Sequence, residues 1–207
     1  ISTFSISRDS ISNYLTPASV RCFDISYYSD TISLVNNPNG YYLSWSHGPR
    51  SGGPIINFTP GSKIWTSDIP NPAIFGANSN PQFNGNPMFF GMCVGINRTI
   101  DFSSTDSNGD SLIYSFSVPI NSASAGGSKP FTGLTFNTGY NLSNLLGPGS
   151  FCSINSSTGM VNARATQIGN YVIAVKCEEY RNGIKIGETR RDYNMVATNC
   201  TRYTPSS

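Results

Sequence analysis

Residues 104–115 read Ser-Thr-Asp-Ser-Asn-Gly-Asp-Ser-Leu-Ile-Tyr-Ser, and this stretch decides the fold class. The oxygen-bearing side chains of Asp106, Asn108 and Asp110 alternate across a glycine turn, and a strand pattern follows at once. Aspartate and asparagine around a glycine are typical of a loop that joins two β-strands. The stretch therefore predicts the opening of a β-sandwich module.

The rest of the chain also favours strands. No segment keeps a helical spacing of apolar residues beyond two turns. The predicted strands are residues 23–28, 31–35, 41–45 and 171–180, the last returning through residues 184–196. Asn-Gly pairs precede residue 41 and residue 184, and such pairs favour tight hairpin turns because both residues tolerate positive φ. We expect an all-β protein.

The domain organisation is predicted from a break in composition. Residues 69–87 are rich in proline, glycine and asparagine, which suits an irregular connection better than a central strand. We therefore expect two β-sandwich modules, residues 1–90 and 91–200, followed by a polar tail, residues 201–207. The first strand pattern, over residues 1–12, predicts pairing outside its own module or with a neighbouring copy, or else completion of its own sandwich.

Composition narrows the class of partner. Charged residues make up 12% of the 207 residues, about half the usual share, and the net charge is +2. The basic residues are scattered, which argues against a nucleic-acid surface. No apolar run approaches the roughly 20 residues of a membrane-spanning helix.

Five widely spaced cysteines, with no CxxC pair, favour disulfides in an exported protein over a zinc site. Cys152 and Cys177 lie in predicted strands of one module, and we expect them to pair. Cys22 with Cys93 would join the ends of the first module. The alternative is a set of buried, reduced thiols.

The acidic loop is the best candidate for a binding site. Carboxylate and amide oxygens from Asp106, Asn108 and Asp110 suit a hard cation such as Ca²⁺. Further oxygens could come from four other acidic residues, Asp101, Glu178, Glu179 and Asp192. The alternative is a turn held by Asp and Asn side chains that accept bonds from nearby backbone N–H groups.

Three segments carry a resemblance to a known family. Residues 106–114 resemble the opening of cadherin-like, dystroglycan-type immunoglobulin modules, and residues 153–159 and 169–175 match their later strands. The closing hairpin, residues 178–192, resembles large secreted surface proteins of the Bacteroidetes, which are associated with gliding motility and adhesion. The resemblance implies an immunoglobulin-like fold and an extracellular place at the cell surface.

The resemblance also implies a type of glycosylation. That group modifies Ser or Thr within short Asp-Ser/Thr-aliphatic sequences, and the matching residues here are Ser10, Thr31 and Ser111. Five Asn-x-Ser/Thr sequons are a separate set, and they start at Asn57, Asn97, Asn141, Asn155 and Asn199.

The search for catalytic residues is negative. The one histidine, His47, lies in a stretch rich in glycine and serine, and no GxSxG or nucleotide-binding glycine motif is present. We therefore expect a non-enzymatic structural or adhesive protein, an adhesin segment or surface-filament subunit whose partners are other copies of itself or other surface proteins. The alternative is a carbohydrate-binding module, in which Trp45 and Trp65 stack on glycan rings.

Overall fold

A computed structural model of the chain describes residues 6–15, 22–49, 54–84, 89–121 and 129–200. The strands are β1 Arg8–Leu15, β2 Cys22–Tyr28, β3 Tyr41–Pro49, β4 Ser62–Ile69, β5 Gln82–Phe83, β6 Phe89–Cys93, β7 Arg98–Asp101, β8 Ser104–Thr105, β9 Ser111–Ser117, β10 Phe151–Ile154, β11 Met160–Arg164, β12 Gly169–Arg181 and β13 Ile184–Thr198. A single helical turn, α1 Pro72–Phe75, is the one helix of the described residues. The predicted all-β fold class is confirmed.

The chain divides into two compact units, Ile1–Asn36 and Asn37–Ser207. In the smaller unit β1 pairs antiparallel with β2, so that Ser10 lies opposite Tyr27. The first strand therefore pairs within its own unit, as the alternative predicted, and contact with a neighbouring copy stays a prediction; residues 1–5 lie outside the described part of the chain. The predicted strand over residues 31–35 is wrong, since an alternating pattern alone does not supply a neighbouring strand.

The larger unit contains a β-sandwich. One sheet has the strand order β3-β4-β13-β12-β9, with β6 parallel to the end of β13, and the other has the order β10-β11-β7. Side chains from both sheets form one buried core, for example Ile100 and Val161 from the smaller sheet with Ile173, Val175 and Met195 from the larger. A short β5–β8 pair adds to this unit.

The predicted module boundary near residue 90 falls inside the larger unit. Strands β3 and β4 belong to the same sheet as β12 and β13, because Ser67 and Thr66 of β4 pair with Thr189 and Arg190 of β13. The intervening polar connection is bound by side chains: Asn80 donates hydrogen bonds to the Ser67 hydroxyl and to the Asp68 carbonyl. A proline-rich polar segment thus folds back onto the sheet and does not separate two modules.

The long β12–β13 hairpin closes as predicted. Asn182 and Gly183 both have positive φ, 51° and 79°, which is the backbone geometry that an Asn-Gly pair supplies in a two-residue hairpin turn. Thirteen residues of β12 pair along β13, and β9 pairs on the other side of β12. The hairpin is therefore the centre of the larger sheet, and it carries the last strand into the core.

Asn57 joins three parts of the larger unit in its interior. Its side chain is fully buried, and Nδ2 donates to the carbonyls of Leu145 and Val172 at 3.2 and 2.7 Å. Its Oδ1 accepts from the Val172 N–H at 3.0 Å. Asn57 begins one of the sequons, and this burial makes it inaccessible to glycosylation in the folded chain.

An ion network on the hairpin predicts a pH dependence. Burial raises the pKa of Glu188, but Lys185 and Arg190, which bond its two oxygens at 2.7 and 2.6 Å, outweigh this effect and lower the pKa to about 2. A carboxyl with a lowered folded-state pKa stabilises the fold above its unfolded value near 4.5 and loses that contribution as the pH falls towards 2.

Between pH 5 and pH 2 we expect the free energy of unfolding of wild type to fall by up to about 3 kcal/mol more than that of Glu188→Gln. Solvent screening at the half-exposed Lys185 reduces this difference. Urea unfolding at a series of pH values measures the difference. Parallel pH profiles for the two proteins would contradict the prediction.

Candidate cation-binding site

The acidic loop between β8 and β9 is organised by Asp106. Its Oδ1 accepts hydrogen bonds from the backbone N–H groups of Asn108 and Asp110, both at 2.9 Å. Gly109 has φ of 78°, a left-handed conformation that glycine adopts without steric cost. This side-chain-capped turn is the arrangement that the alternative to metal binding predicted. The second oxygen, Oδ2, is buried and has no hydrogen-bond partner.

Asn108, the third loop residue predicted to bind a cation, has its side-chain oxygen engaged by the backbone. Its side chain is exposed, and its Oδ1 accepts from the Ser79 N–H at 2.7 Å. It therefore fastens the loop to the segment after α1, whereas Asp106 and Asp110 belong to a group of carboxylates.

A third carboxylate completes the group. One carboxylate oxygen each from Asp106, Asp110 and Glu179 lie within 4.8 Å of one another, and we call these three residues the acidic cluster. Glu179 belongs to β12 and lies opposite Gly187 of β13. The register of the two strands shifts between Glu179 and Tyr180. Its side chain is 1% exposed, and its Oε1 has no hydrogen-bond partner.

Electrostatics within the acidic cluster disfavour ionisation of Glu179. Burial is the main cause that raises the pKa of Glu179 to about 7; Asn78 opposes the rise, whereas the charges of Asp106 and Asp110 add to it. A buried carboxylate beside two others is costly unless a proton or a cation compensates it.

Arg181 supplies one positive charge at the edge of the cluster. Its Nε and Nη2 donate to the two oxygens of Asp110 at 2.8 and 2.5 Å, a bidentate pair that lowers the pKa of Asp110. Nη2 also donates to Asn78 Oδ1 at 2.6 Å, and Nη1 donates to the carbonyls of Phe75 and Ala77. Arg181 therefore ties the α1 segment and the acidic loop to the end of β12.

The other acidic residues considered from sequence lie elsewhere. Glu178 pairs with Lys176 and Lys185 on the opposite face of β12, and Asp101 accepts from the Ser103 N–H. Asp192 is buried in β13 and is not a member of the acidic cluster. Of the four candidates, Glu179 alone joins the loop.

The cysteines pair differently from the prediction. Cys93 forms a disulfide with Cys200, with 5.4 Å between their Cα atoms, because β6 runs parallel to β13 and places Cys93 opposite Thr198. Cys152 and Cys177 are free thiols on different sheets, so their predicted pairing is wrong, as is that of Cys22 with Cys93. The side chain of Cys22 lies outside the described residues.

Trp45 and Trp65 form a stack on neighbouring strands. They are register partners of β3 and β4, with ring centroids 4.5 Å apart and planes 24° apart. Trp45 is 48% exposed at the edge of the sheet. Arg191 lies over the Trp65 ring at 5.9 Å and over the Phe83 ring at 5.4 Å, which continues the stack towards the core.

The candidate modification sites are accessible. Ser10, Thr31 and Ser111 are exposed, as are four of the five sequon asparagines, Asn97, Asn141, Asn155 and Asn199. Modification at these positions stays a prediction. The side chain of His47 lies outside the described residues, although its backbone belongs to β3.

No protein-family model, curated protein or solved structure significantly matches this chain. In the part of the chain that the structure describes, no helix is long and apolar enough to cross a membrane.

Proposed function

We propose that this chain is a non-enzymatic extracellular protein with a structural or adhesive role, part of a bacterial surface adhesin or a subunit of a surface filament. The observation that carries the proposal is the Cys93–Cys200 disulfide, since disulfides persist in oxidising environments such as the periplasm and the cell surface. A β-sandwich with few charged residues is consistent with a module that packs against other proteins.

Localisation and assembly test this function directly. Antibodies raised against the folded chain should label intact cells that produce the native protein, and external protease should remove the label. Native material from the cell surface, viewed by negative-stain electron microscopy, distinguishes filaments from a tethered monomer. A protein found only in the cytoplasm, with Cys93 and Cys200 reduced, would refute the proposal.

A second candidate function is carbohydrate binding, and the Trp45–Trp65 stack favours it. Aromatic rings supply a flat apolar surface for stacking, and a half-exposed tryptophan backed by a second ring is held in a fixed orientation. In this reading Trp45 contacts the ligand, and Trp65 supports Trp45.

We expect Trp45→Ala to weaken binding to any glycan found on an array by about tenfold or more, equivalent to about 1.4 kcal/mol. Leu43→Ala is the matched control, because Leu43 is also exposed on β3, at 43%, but has no ring. Titration of the two variants with the glycan measures the difference. Equal binding by wild type and Trp45→Ala would exclude this site, and absence of any glycan ligand would leave the adhesive role as the sole function proposed.

A further inference from the structure

We propose that the acidic cluster, Asp106, Asp110 and Glu179, binds one Ca²⁺ ion where the acidic loop meets the end of β12. This inference concerns a ligand of the fold and stands apart from the adhesive or carbohydrate-binding role.

The spacing of the carboxylates fits a single ion. Calcium–oxygen distances in proteins are about 2.3–2.6 Å, so that two oxygens of one coordination sphere lie no more than about 5 Å apart. The three oxygens of the acidic cluster satisfy this limit, since each lies within 4.8 Å of the others. Water would fill the remaining positions of a sphere that holds six to eight oxygens.

The buried atoms of the cluster point independently to a ligand. Glu179, a member of the cluster, is 1% exposed, and its Oε1 has no hydrogen-bond partner. Asp106 Oδ2 is also buried without a partner, although its Oδ1 is fully used by the turn. Native structures rarely leave buried carboxylate oxygens unsatisfied, because each costs the free energy of its lost hydration. A cation between these atoms would satisfy both.

The charge of the site matches a divalent cation. Arg181 neutralises Asp110 through its two hydrogen bonds, which leaves the negative charges of Asp106 and Glu179 for the ion. A monovalent ion would leave one buried negative charge unbalanced. Calcium fits better than magnesium, because Asp110 is already oriented by Arg181 and a calcium sphere tolerates irregular geometry, whereas magnesium needs a regular octahedron.

The test is calorimetric titration of the full chain, stripped of metal by chelation, with CaCl₂ and in parallel with MgCl₂. We expect saturable binding of one Ca²⁺ per chain, weaker binding of Mg²⁺, and a melting temperature that rises by several degrees with saturating Ca²⁺. Glu179→Gln should lower the affinity at least tenfold. Glu178→Gln is the matched control, since it removes the same charge from the adjacent residue on the opposite face and should bind like wild type.

Asn108→Ala separates this site from one formed by the loop alone. Because Asn108 bonds to the Ser79 N–H, we expect the variant to bind Ca²⁺ within about threefold of wild type. If Glu179→Gln does not fold, as judged by circular dichroism, Asp106→Asn serves the same purpose. Failure of wild type to bind at millimolar Ca²⁺, or wild-type affinity in the folded cluster variant, would overturn the proposal and leave the adhesive role untouched.

Discussion

Replacing Asn57 by alanine should lower the free energy of unfolding by about 3–5 kcal/mol, because the Leu145 carbonyl and the Val172 carbonyl and N–H would each lose a buried hydrogen bond. Each such group costs about 1–3 kcal/mol when it is left buried and unsatisfied. Urea unfolding should show a lower midpoint with an unchanged slope, since the surface exposed on unfolding stays the same.

Asn84→Ala is the control for this substitution. Asn84 is exposed, and its Nδ2 donates to the Ser103 hydroxyl at 3.1 Å at the surface. A loss within about 0.5 kcal/mol is expected there. If Asn57→Ala also lost less than about 1 kcal/mol, Asn57 would not be the link between its segment and β12 that its contacts indicate.

The second large effect concerns the disulfide. Cys93 and Cys200 are separated by 107 residues, and closing a loop of about 100 residues stabilises a fold by as much as about 4.7 kcal/mol in the chain-entropy account. We expect Cys200→Ser to lose about 2–5 kcal/mol, measured by urea unfolding without reductant. Mass spectrometry of peptides from non-reduced protein should recover Cys93 joined to Cys200.

Dithiothreitol provides an internal control for this loss. It should destabilise wild type to the level of the Cys93→Ser/Cys200→Ser double variant and leave that variant unchanged. The free thiols of Cys152 and Cys177 are present in both proteins, and burial raises their pKa to about 12 and about 11, which keeps them unreactive near neutral pH. Equal stability of the oxidised and reduced wild type would contradict the prediction.

The features that could be predicted from sequence are those set by neighbouring residues. The β12–β13 hairpin follows from alternation and an Asn-Gly turn, and the capped acidic loop follows from Asp106 and Gly109. Such features need only a few residues of local pattern, so a single sequence contains the whole signal.

The predictions that failed concern features that depend on which strands are neighbours in the sheet. Arg181 was missed as the partner of Asp110, from which it is 71 residues distant, because only the pairing of β9 with β12 brings them together. Two features of the sequence could have drawn attention to Arg181: it lies at the end of a predicted strand, and an Asn-Gly turn follows it. The prediction of the disulfide pairs failed for the same reason, since no local sequence pattern indicates that β6 lies parallel to β13.

The Cys93–Cys200 bond also governs how the chain responds to tension. When the polypeptide is pulled from points before residue 93 and after residue 200, the load passes through the two sulfur atoms and bypasses everything between them. The bypassed 107-residue span would lengthen by up to roughly 350–385 Å if it were drawn out straight, and the bond prevents that extension. Strands β7–β13 are thus shielded from the load, while β1–β5 lie outside the closed loop and bear it.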